Sequence, residues 1–483
     1  MSESQVASPM LLPAARGVAR PGKALLIVLA LAQFMVVLDF TIVNVALPSI
    51  QSGLDVATTT LQWVVSGYAV AFGGFLLLGG RLADLFGRVR LLRAGLIVFV
   101  LASVAGGLAV EPTLLIASRI VQGVGAAIVA PAALSLLVTS WPNERERSRA
   151  LGIYGAVVST GFAAGAVLGG ALVEADWRLV FFVNVPVGVF LLVASYRLLP
   201  ADPPVRDGRL DVPGAVTVTA GVALLVLAVA RAGDTLSATQ PALLAVVALV
   251  LLATFAMRER TTKAPLLNLA MLTDRGILGA NLCLIAVGAF NAGQVLLVTL
   301  YLQDGRHLSP LLTGLCFVPQ AAGAFLLSGP ASKLVPNLGP RRSLGVAMLI
   351  ALVSLIGGAL ADASGSIIAL LFTLLLMGVA ARISMVAATL AGTHGVVAEQ
   401  SEGTASALLT ATRQCGSALG VAILSATLVL SGGSDTHGTV IAMFVAASFA
   451  LTGLLATRVV PALPTRTDKT AGHHVFHRGA GRK

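Results

Sequence analysis

The sequence predicts an all-α integral membrane protein of about fourteen transmembrane helices, built as two six-helix bundles with two further helices inserted between them. Three observations carry this. Of 483 residues, 57% are hydrophobic and only 11% charged, against about 25% charged in a soluble domain, so the chain cannot cover itself with a polar surface. The apolar residues arrive in blocks of roughly 20, the length an α-helix needs to cross about 30 Å of hydrocarbon. Charge, proline and glycine collect in the breaks between blocks. Lipid offers no water to backbone N–H and C=O groups, which makes helices the default spanning element.

The first six helices are predicted near 24–47, 61–80, 91–110, 113–139, 149–173 and 177–199. Two follow near 211–231 and 239–257, whose interiors hold little that is polar beyond Thr217, Thr219 and Thr254. That composition reads as a lipid-facing pair with no cavity to line. Six more are predicted near 276–302, 310–332, 343–361, 366–391, 403–430 and 438–460. The organisation is then a cytoplasmic tail (1–23), an N-terminal bundle (24–199), a linker with the inserted pair (200–262), a C-terminal bundle (263–460) and a second tail (461–483). Asp202, Pro203, Pro204, Arg206 and Asp207 mark 200–209 as a polar linker.

A formal charge of +11 raises the question of nucleic acid, but the basic residues flank apolar blocks instead of clustering on a solvated domain. An even helix count puts both termini on one side. With the termini inside, only Arg178, Arg231 and Arg306 fall outside, and only Arg119, Arg382 and Arg413 lie within helices. The positive-inside rule therefore predicts a multi-pass plasma-membrane protein with both tails cytoplasmic. Trp63, Trp141 and Trp177 fall at predicted helix ends, where interfacial anchors belong. Cys283, Cys316 and Cys415 sit in apolar blocks as small packing residues. His473, His474 and His477 read as part of a solvated tail, and no zinc spacing is present. Neither a metal nor a cofactor is expected.

Asp39 is the carboxylate placed well inside an apolar block, where a charge costs on the order of 3 kcal/mol and should face the protein interior or water. Burial raises a carboxylate's pKa and a nearby cation lowers it, so a group held between the two can take and release protons. A helix-packing role for Asp39 is the bland alternative. Arg119 lies at a similar depth on the fourth helix, placed either to pair with Asp39 or to snorkel to the surface. Gly161, Gly165 and Gly169 recur every four residues on the fifth helix with Gly170 beside the last, a bare face that lets another helix approach. After the second helix comes a loop with Gly80, Asp84, Gly87 and Arg88. After the tenth comes a weakly similar loop with Gly329, Lys333, Gly339, Arg341 and Arg342. Repeated halves with a site between them are a common plan of secondary carriers. Asn44, Asn291 and Gln294 are polar cavity candidates, the last two one turn apart on one face.

Several of these stretches resemble one family. The run holding Leu38, Asp39, Thr41, Asn44 and Pro48 is similar to the first-helix signature of the fourteen-helix drug:proton antiporters of the major facilitator superfamily, the EmrB/QacA-like group. The stretch 80–90 resembles that superfamily's loop between helices 2 and 3. Arg119, Gln122, Gly123 and Gly125 resemble its fourth-helix motif, whose arginine is implicated in proton coupling, and 161–170 resembles the antiporter motif of helix 5. Similar matches occur at 177–186, 211–214, 301–310 and 403–414, so the resemblance covers nearly the whole chain. Ala166 departs from the helix 5 motif, which usually has proline there and implies strictly outward transport through a bend. Arg382 matches no motif of the family.

The resemblance implies a proton-coupled exporter of amphipathic small molecules, drugs or antibiotics in class, working by alternating access with lipid, substrate and proton as partners. Asp39 would bind the proton, Arg119 would tune it, and 80–90 would latch the bundles on the cytoplasmic side. Import or facilitated diffusion of a metabolite is the second reading, left open by Ala166. An intramembrane receptor or enzyme is the third, and no His, Cys or paired carboxylate is placed for catalysis. Arg382 and Arg413 fall near mid-depth without an acidic partner on their own blocks, which predicts that neutral or acidic compounds are handled better than dications.

Overall fold

The computed structural model describes residues 23–141, 143–199, 211–231, 239–262, 269–393, 399–433 and 436–462. The linker 200–210 and both tails, including His473, His474 and His477, lie outside the described residues. Each of the fourteen predicted blocks holds a helix: α1 (Lys23–Leu54), α2 (Thr58–Phe86), α3 (Arg88–Gly107), α4 (Pro112–Ser140), α5 (Glu144–Ala175), α6 (Leu179–Phe182 with Asn184–Leu198), α7 (Val212–Arg231), α8 (Thr239–Thr261), α9 (Arg275–Leu300), α10 (Pro310–Cys316, Val318–Leu326 and Ser328–Leu338), α11 (Pro340–Ser364), α12 (Ile367–Thr393), α13 (Glu399–Leu430) and α14 (Thr436–Ala456). Among the described residues, twelve helices are long and apolar enough to cross a membrane, while α2 and α5 contribute the shorter apolar stretches Thr60–Leu76 and Thr160–Ala175.

The tenth helix, expected as one piece, is broken twice. Pro310 and Pro319 open its first two segments, because proline lacks the N–H that would continue the ladder and fits only in a helix's first turn. The loop expected to begin at Gly80 is also corrected. Helix α2 continues past Gly80 and Asp84 to Phe86, and Gly87 alone makes the turn, with φ 101° and ψ 134°, before α3 starts at Arg88. The second half repeats this: Gly339, at φ 81° and ψ 152°, separates α10 from α11. Only glycine adopts that backbone region without strain. The symmetric positions are thus Gly87 and Gly339, not Gly80 and Gly329.

In the N-terminal bundle the glycine stripe of α5 lies on α1. A Cβ at Gly165 would stand 2.9 Å from the Leu38 carbonyl oxygen, and one at Gly169 would stand 3.1 Å from that of Ile42. The bare face seen in the sequence therefore seats α5 on the stretch of α1 that carries Asp39. In the C-terminal bundle, Gly416 and Gly420 of α13 pack in the same way on Ile285 and Ala289 of α9. Small residues give helices in lipid their close van der Waals contact, since no hydrophobic force draws them together there.

The two bundles meet at the end of the membrane away from the chain termini. Gly314 of α10 packs on the Ala166 carbonyl of α5, Gly170 packs on Pro310, and the Gln303 side chain donates to the Val45 carbonyl at 2.9 Å. One apolar cluster runs from Ile42, Leu47 and Ile50 of α1 to Leu296, Leu297 and Leu300 of α9. That end is sealed.

The inserted pair differs from a simple lipid-facing hairpin. Helix α8 does expose Leu243, Val246, Leu249 and Val250. Helix α7 instead docks on the seam between bundles, with Val222 and Val226 against Ala69 and Val70 of α2 and Ala418 and Ala422 of α13. Its first turn is held by a buried polar contact absent from the sequence reading: Asp211 accepts from the Gly214 N–H at 3.0 Å and from Arg258 Nε of α8 at 2.7 Å.

Gly165→Val forces α5 away from α1 and is expected to lower stability by about 1–3 kcal/mol, as overpacking does, read as a lower unfolding temperature in detergent. Gly329→Ala, where an added Cβ meets nothing within 4 Å, should leave that temperature unchanged.

Candidate proton and substrate site

Asp39 sits midway along α1 and is fully buried, as is Arg119 on α4. They form an ion pair, Arg119 Nη1 to Asp39 Oδ2, at 2.7 Å. The opportunity for Arg119 to snorkel is not taken. The pair does not stand alone. Asp39 Oδ1 accepts from Gln122 Nε2 and from Asn184 Nδ2, each at 2.8 Å. Arg119 donates Nε to the Val64 carbonyl at 2.9 Å and Nη1 to Gln122 Oε1 at 2.6 Å. Its guanidinium carbon lies 4.3 Å from the centre of the Tyr68 ring, within cation–π range. Gln122 also reaches Ser103 Oγ at 2.8 Å, and Ser103 in turn donates to the Phe99 carbonyl.

Five helices converge here for local reasons. Arg119 and Gln122 are three residues apart on α4, so they share a face. Gly123, beside Gln122, lets α4 approach α2 so closely that a Cβ there would lie 2.5 Å from the Tyr68 carbonyl oxygen. That brings both the Tyr68 ring and the Val64 carbonyl to the guanidinium. The break at Val183 starts the second segment of α6 at Asn184, which turns that side chain onto Asp39. Asn184, Gln122, Ser103 and Tyr68 were missed as site residues. The signal was available: Asn184 and Gln122 are amides inside apolar blocks, and Gln122 follows Arg119 at helical spacing.

The predicted cavity residues are less convergent. Asn44 is buried but bonds its own helix, Nδ2 to the Phe40 carbonyl at 2.6 Å, leaving Oδ1 without a partner. Gln294 is buried with an unpartnered Oε1, while Asn291 is half-buried. Among the described residues, no hydrogen bond joins Asn44 to either. Arg382 on α12 and Arg413 on α13 are half-buried, and the buried Nε of each has no hydrogen-bond partner. Among the described residues no cluster of His, Cys, Asp or Glu is arranged to hold a metal.

Asp362 was also missed, as it falls one residue past the predicted end of its block. It is 2% exposed at the sealed end of α11, and neither carboxylate oxygen has a partner.

A model of the Major Facilitator Superfamily matches residues 29–421. The chain belongs to the Major Facilitator Superfamily. Members that resemble it over nearly their whole length include the puromycin resistance protein of Streptomyces alboniger, 38% identical over 90% of each chain. The cephamycin export protein of Amycolatopsis lactamdurans is 38% identical over 86% of each. A multidrug resistance protein of Mycobacterium tuberculosis is 32% identical over 85% of this chain and 77% of its own. Among solved structures, an auto-inhibited POT family peptide transporter superposes with a TM-score of 0.67 at 15% identity, covering 92% of this chain and 98% of its own. A bacterial Spinster homologue, described as inward-facing and unoccupied, gives 0.64 at 17%, with the same coverage. These last two show the superfamily fold.

Within that fold, the Asp39–Arg119 pair is the charged centre of the N-terminal bundle. Removing one partner leaves a buried charge uncompensated, at a cost of about 3–5 kcal/mol. Arg119→Ala is therefore expected to destabilise by that order, whereas Asp39→Asn with Arg119→Gln should cost less than the two single changes added together. Unfolding of the four proteins in one detergent measures this coupling.

Proposed function

We propose that this superfamily member is a proton-coupled exporter of amphipathic small molecules, drugs or antibiotics among them. In this reading fourteen helices span the plasma membrane, both termini are cytoplasmic, and no cofactor beyond the proton is required. The observation that carries the reading is the buried Asp39–Arg119 pair on helices that pack through glycine. The resistance and export proteins at 38% identity supply the substrate class.

The pair is suited to proton exchange because each partner has neutral contacts that survive protonation. When Asp39 takes a proton the ion pair is lost, yet Arg119 keeps the Val64 carbonyl, Gln122 Oε1 and the Tyr68 ring. The guanidinium keeps these neutral contacts but loses its counter-charge, so the proton's energetic effect falls on contacts between α1 and α4. Those contacts are coupled to the rest of the bundle, since Gly165 and Gly169 seat α5 on the same part of α1 and Gly170 and Ala166 of α5 touch α10. A change at Asp39 is in this way transmitted to the seam that seals the far end of the membrane. The tight turns at Gly87 and Gly339, with Arg88 following the first, act as matching latches on the cytoplasmic side. Each proton moving inward releases about 2.3 kcal/mol per 100 mV, which sustains a gradient of order 50-fold for a neutral solute.

Import by the same fold is favoured by one observation: Ala166 replaces a helix-bending proline, and α5 runs unbroken from Glu144 to Ala175. Inside-out vesicles separate the two, because an exporter fills them when a proton gradient is imposed.

Asp39→Asn mimics the protonated carboxyl and is expected to insert normally but to lose proton-driven export by at least about 100-fold. Arg119→Gln, and the two changes combined, should lose nearly the same, because residues that act as one unit are not additive. Efflux of a fluorescent substrate with and without an uncoupler checks this. Uncoupler-sensitive efflux at normal rates in Asp39→Asn removes the assignment.

A further inference from the structure

We infer that Arg382 is a recognition site for an anionic group, so that the preferred substrates are amphipathic carboxylates or other monoanions. This rests on the exporter reading and gives it a substrate class.

The argument is one of charge balance inside the membrane. In the N-terminal bundle one cation meets one anion. Both oxygens of Asp39 are occupied, Oδ2 by Arg119 and Oδ1 by Gln122 and Asn184, so this carboxylate is neutralised and closed to a cationic guest. The C-terminal bundle places two guanidiniums, those of Arg382 and Arg413, well inside its helices, and among the described residues neither enters an ion pair. Arg382 lies about 16 Å along α12 from Thr393, and Arg413 about 21 Å along α13 from Glu399, at 1.5 Å per residue. The depths are comparable.

The acidic residues on neighbouring elements do not answer this charge. Asp362, on α11, is at the sealed end, and Arg382 is about 22 Å below even the start of α12. Asp304 follows α9 at that same end. Glu399 and Glu402 lie in the first turn of α13, about 21 Å and 16 Å along the helix from Arg413. Asp211, at the foot of α7, is taken by Arg258.

The surroundings of Arg382 are polar and incomplete. Its Nε and Gln320 Oε1 on α10 are both buried without hydrogen-bond partners. Gln320 is close, because Gly378, one turn above Arg382, packs directly on the Gln320 carbonyl. Arg413 emerges where α13 crosses α9, its own carbonyl against Gly288. Buried donors are retained without partners only at a cost. A guanidinium is also the side chain whose planar fork of donors matches a carboxylate bidentately. A monoanion bound here meets the Arg382 cation and its unpartnered donor, whereas a dication meets only like charge.

The test uses purified full-length protein in detergent at pH 7.5, where naproxen is a carboxylate and its primary amide is a neutral isostere. Binding of each is followed by naphthalene fluorescence, with ethidium as the cationic probe. Wild type should bind naproxen at least about 10-fold more tightly than the amide, the range expected for one charge-assisted hydrogen-bonded contact. Arg382→Gln should erase that preference while leaving amide binding and the unfolding temperature unchanged, and Arg382→Lys should retain part of it. Equal binding of acid and amide by wild type overturns the inference whether or not any variant folds. So does a preference that survives Arg382→Gln, or ethidium binding tighter than naproxen. Binding is read without a proton gradient, so the two readings fail separately. Protein that binds naproxen through Arg382 but moves no solute in energised proteoliposomes removes the exporter reading alone. Protein that exports ethidium but binds acid and amide equally removes the anion site alone.

Discussion

Everything in the N-terminal bundle is organised around one constraint: a carboxylate and a guanidinium held in hydrocarbon must each have every strong hydrogen-bonding direction met by protein. An ion pair in low dielectric does not stabilise by attraction alone, because desolvating two charges costs several kcal/mol per ion. The pair survives because α2, α4 and α6 each deliver a neutral partner, through the Val64 carbonyl, Gln122 and Asn184. Delivering those partners requires backbones closer than ordinary side chains allow. Glycine supplies the closeness at Gly123, where α4 meets α2, and at Gly165, where α5 meets α1. The polar centre and the bare helix faces are therefore one design feature seen from two sides.

The same constraint explains how much of the molecule could be read from sequence. Spans were legible because hydrophobic length has to match the bilayer, and all fourteen blocks hold helices where expected. Asp39 and Arg119 were legible because a charge inside an apolar block is expensive enough to demand a reason. The neutral partners were not, since an amide or serine in a membrane helix costs far less and so stands out less. Asn184 depends in addition on a local break at Val183 that no composition signal announces. The four-residue spacing of Gly416 and Gly420 was as readable as that of Gly161 and Gly165, yet its meaning lay in which helix it met, and that is a tertiary fact.

The loops were misread for a related reason. Glycine at Gly80 and Gly329 looks like a turn, but a membrane helix continues into the interface wherever its backbone bonds can be kept. What ends α2 and α10 is a single residue in a backbone region closed to other side chains, Gly87 and Gly339. The inserted pair shows the opposite error. An apolar interior reads as a lipid-facing pair with no cavity to line, whereas α7 is wedged against α2 and α13. Helix α7 thus touches one helix from each bundle, so any rocking of the bundles has to be accommodated at Val222 and Val226.

The contrast between the bundles bears on the direction in which energy flows. In the N-terminal half, charge is balanced internally, and in the proposed mechanism the variable is whether Asp39 carries a proton. In the C-terminal half, the buried Nε of Arg382 and that of Arg413 have no hydrogen-bond partner, and in the proposed mechanism the variable is whether an anion meets Arg382. A carrier must keep these two events from being satisfied independently, or the proton gradient would dissipate without transport. Here the two are joined by few routes: Gly170 and Ala166 of α5 on Pro310 and Gly314 of α10, Gln303 on Val45, and α2 on α13, where Gly73 packs on the Ala411 carbonyl. Apart from the Gln303 hydrogen bond, these are close backbone contacts with little room for compression, and densely packed interfaces of that kind switch between discrete arrangements more readily than they deform. In the proposed mechanism, protonation at Asp39 acts on α1 and α4 and an anion at Arg382 acts on α12, from opposite sides of this rigid seam, which is what coupling between two separated sites requires.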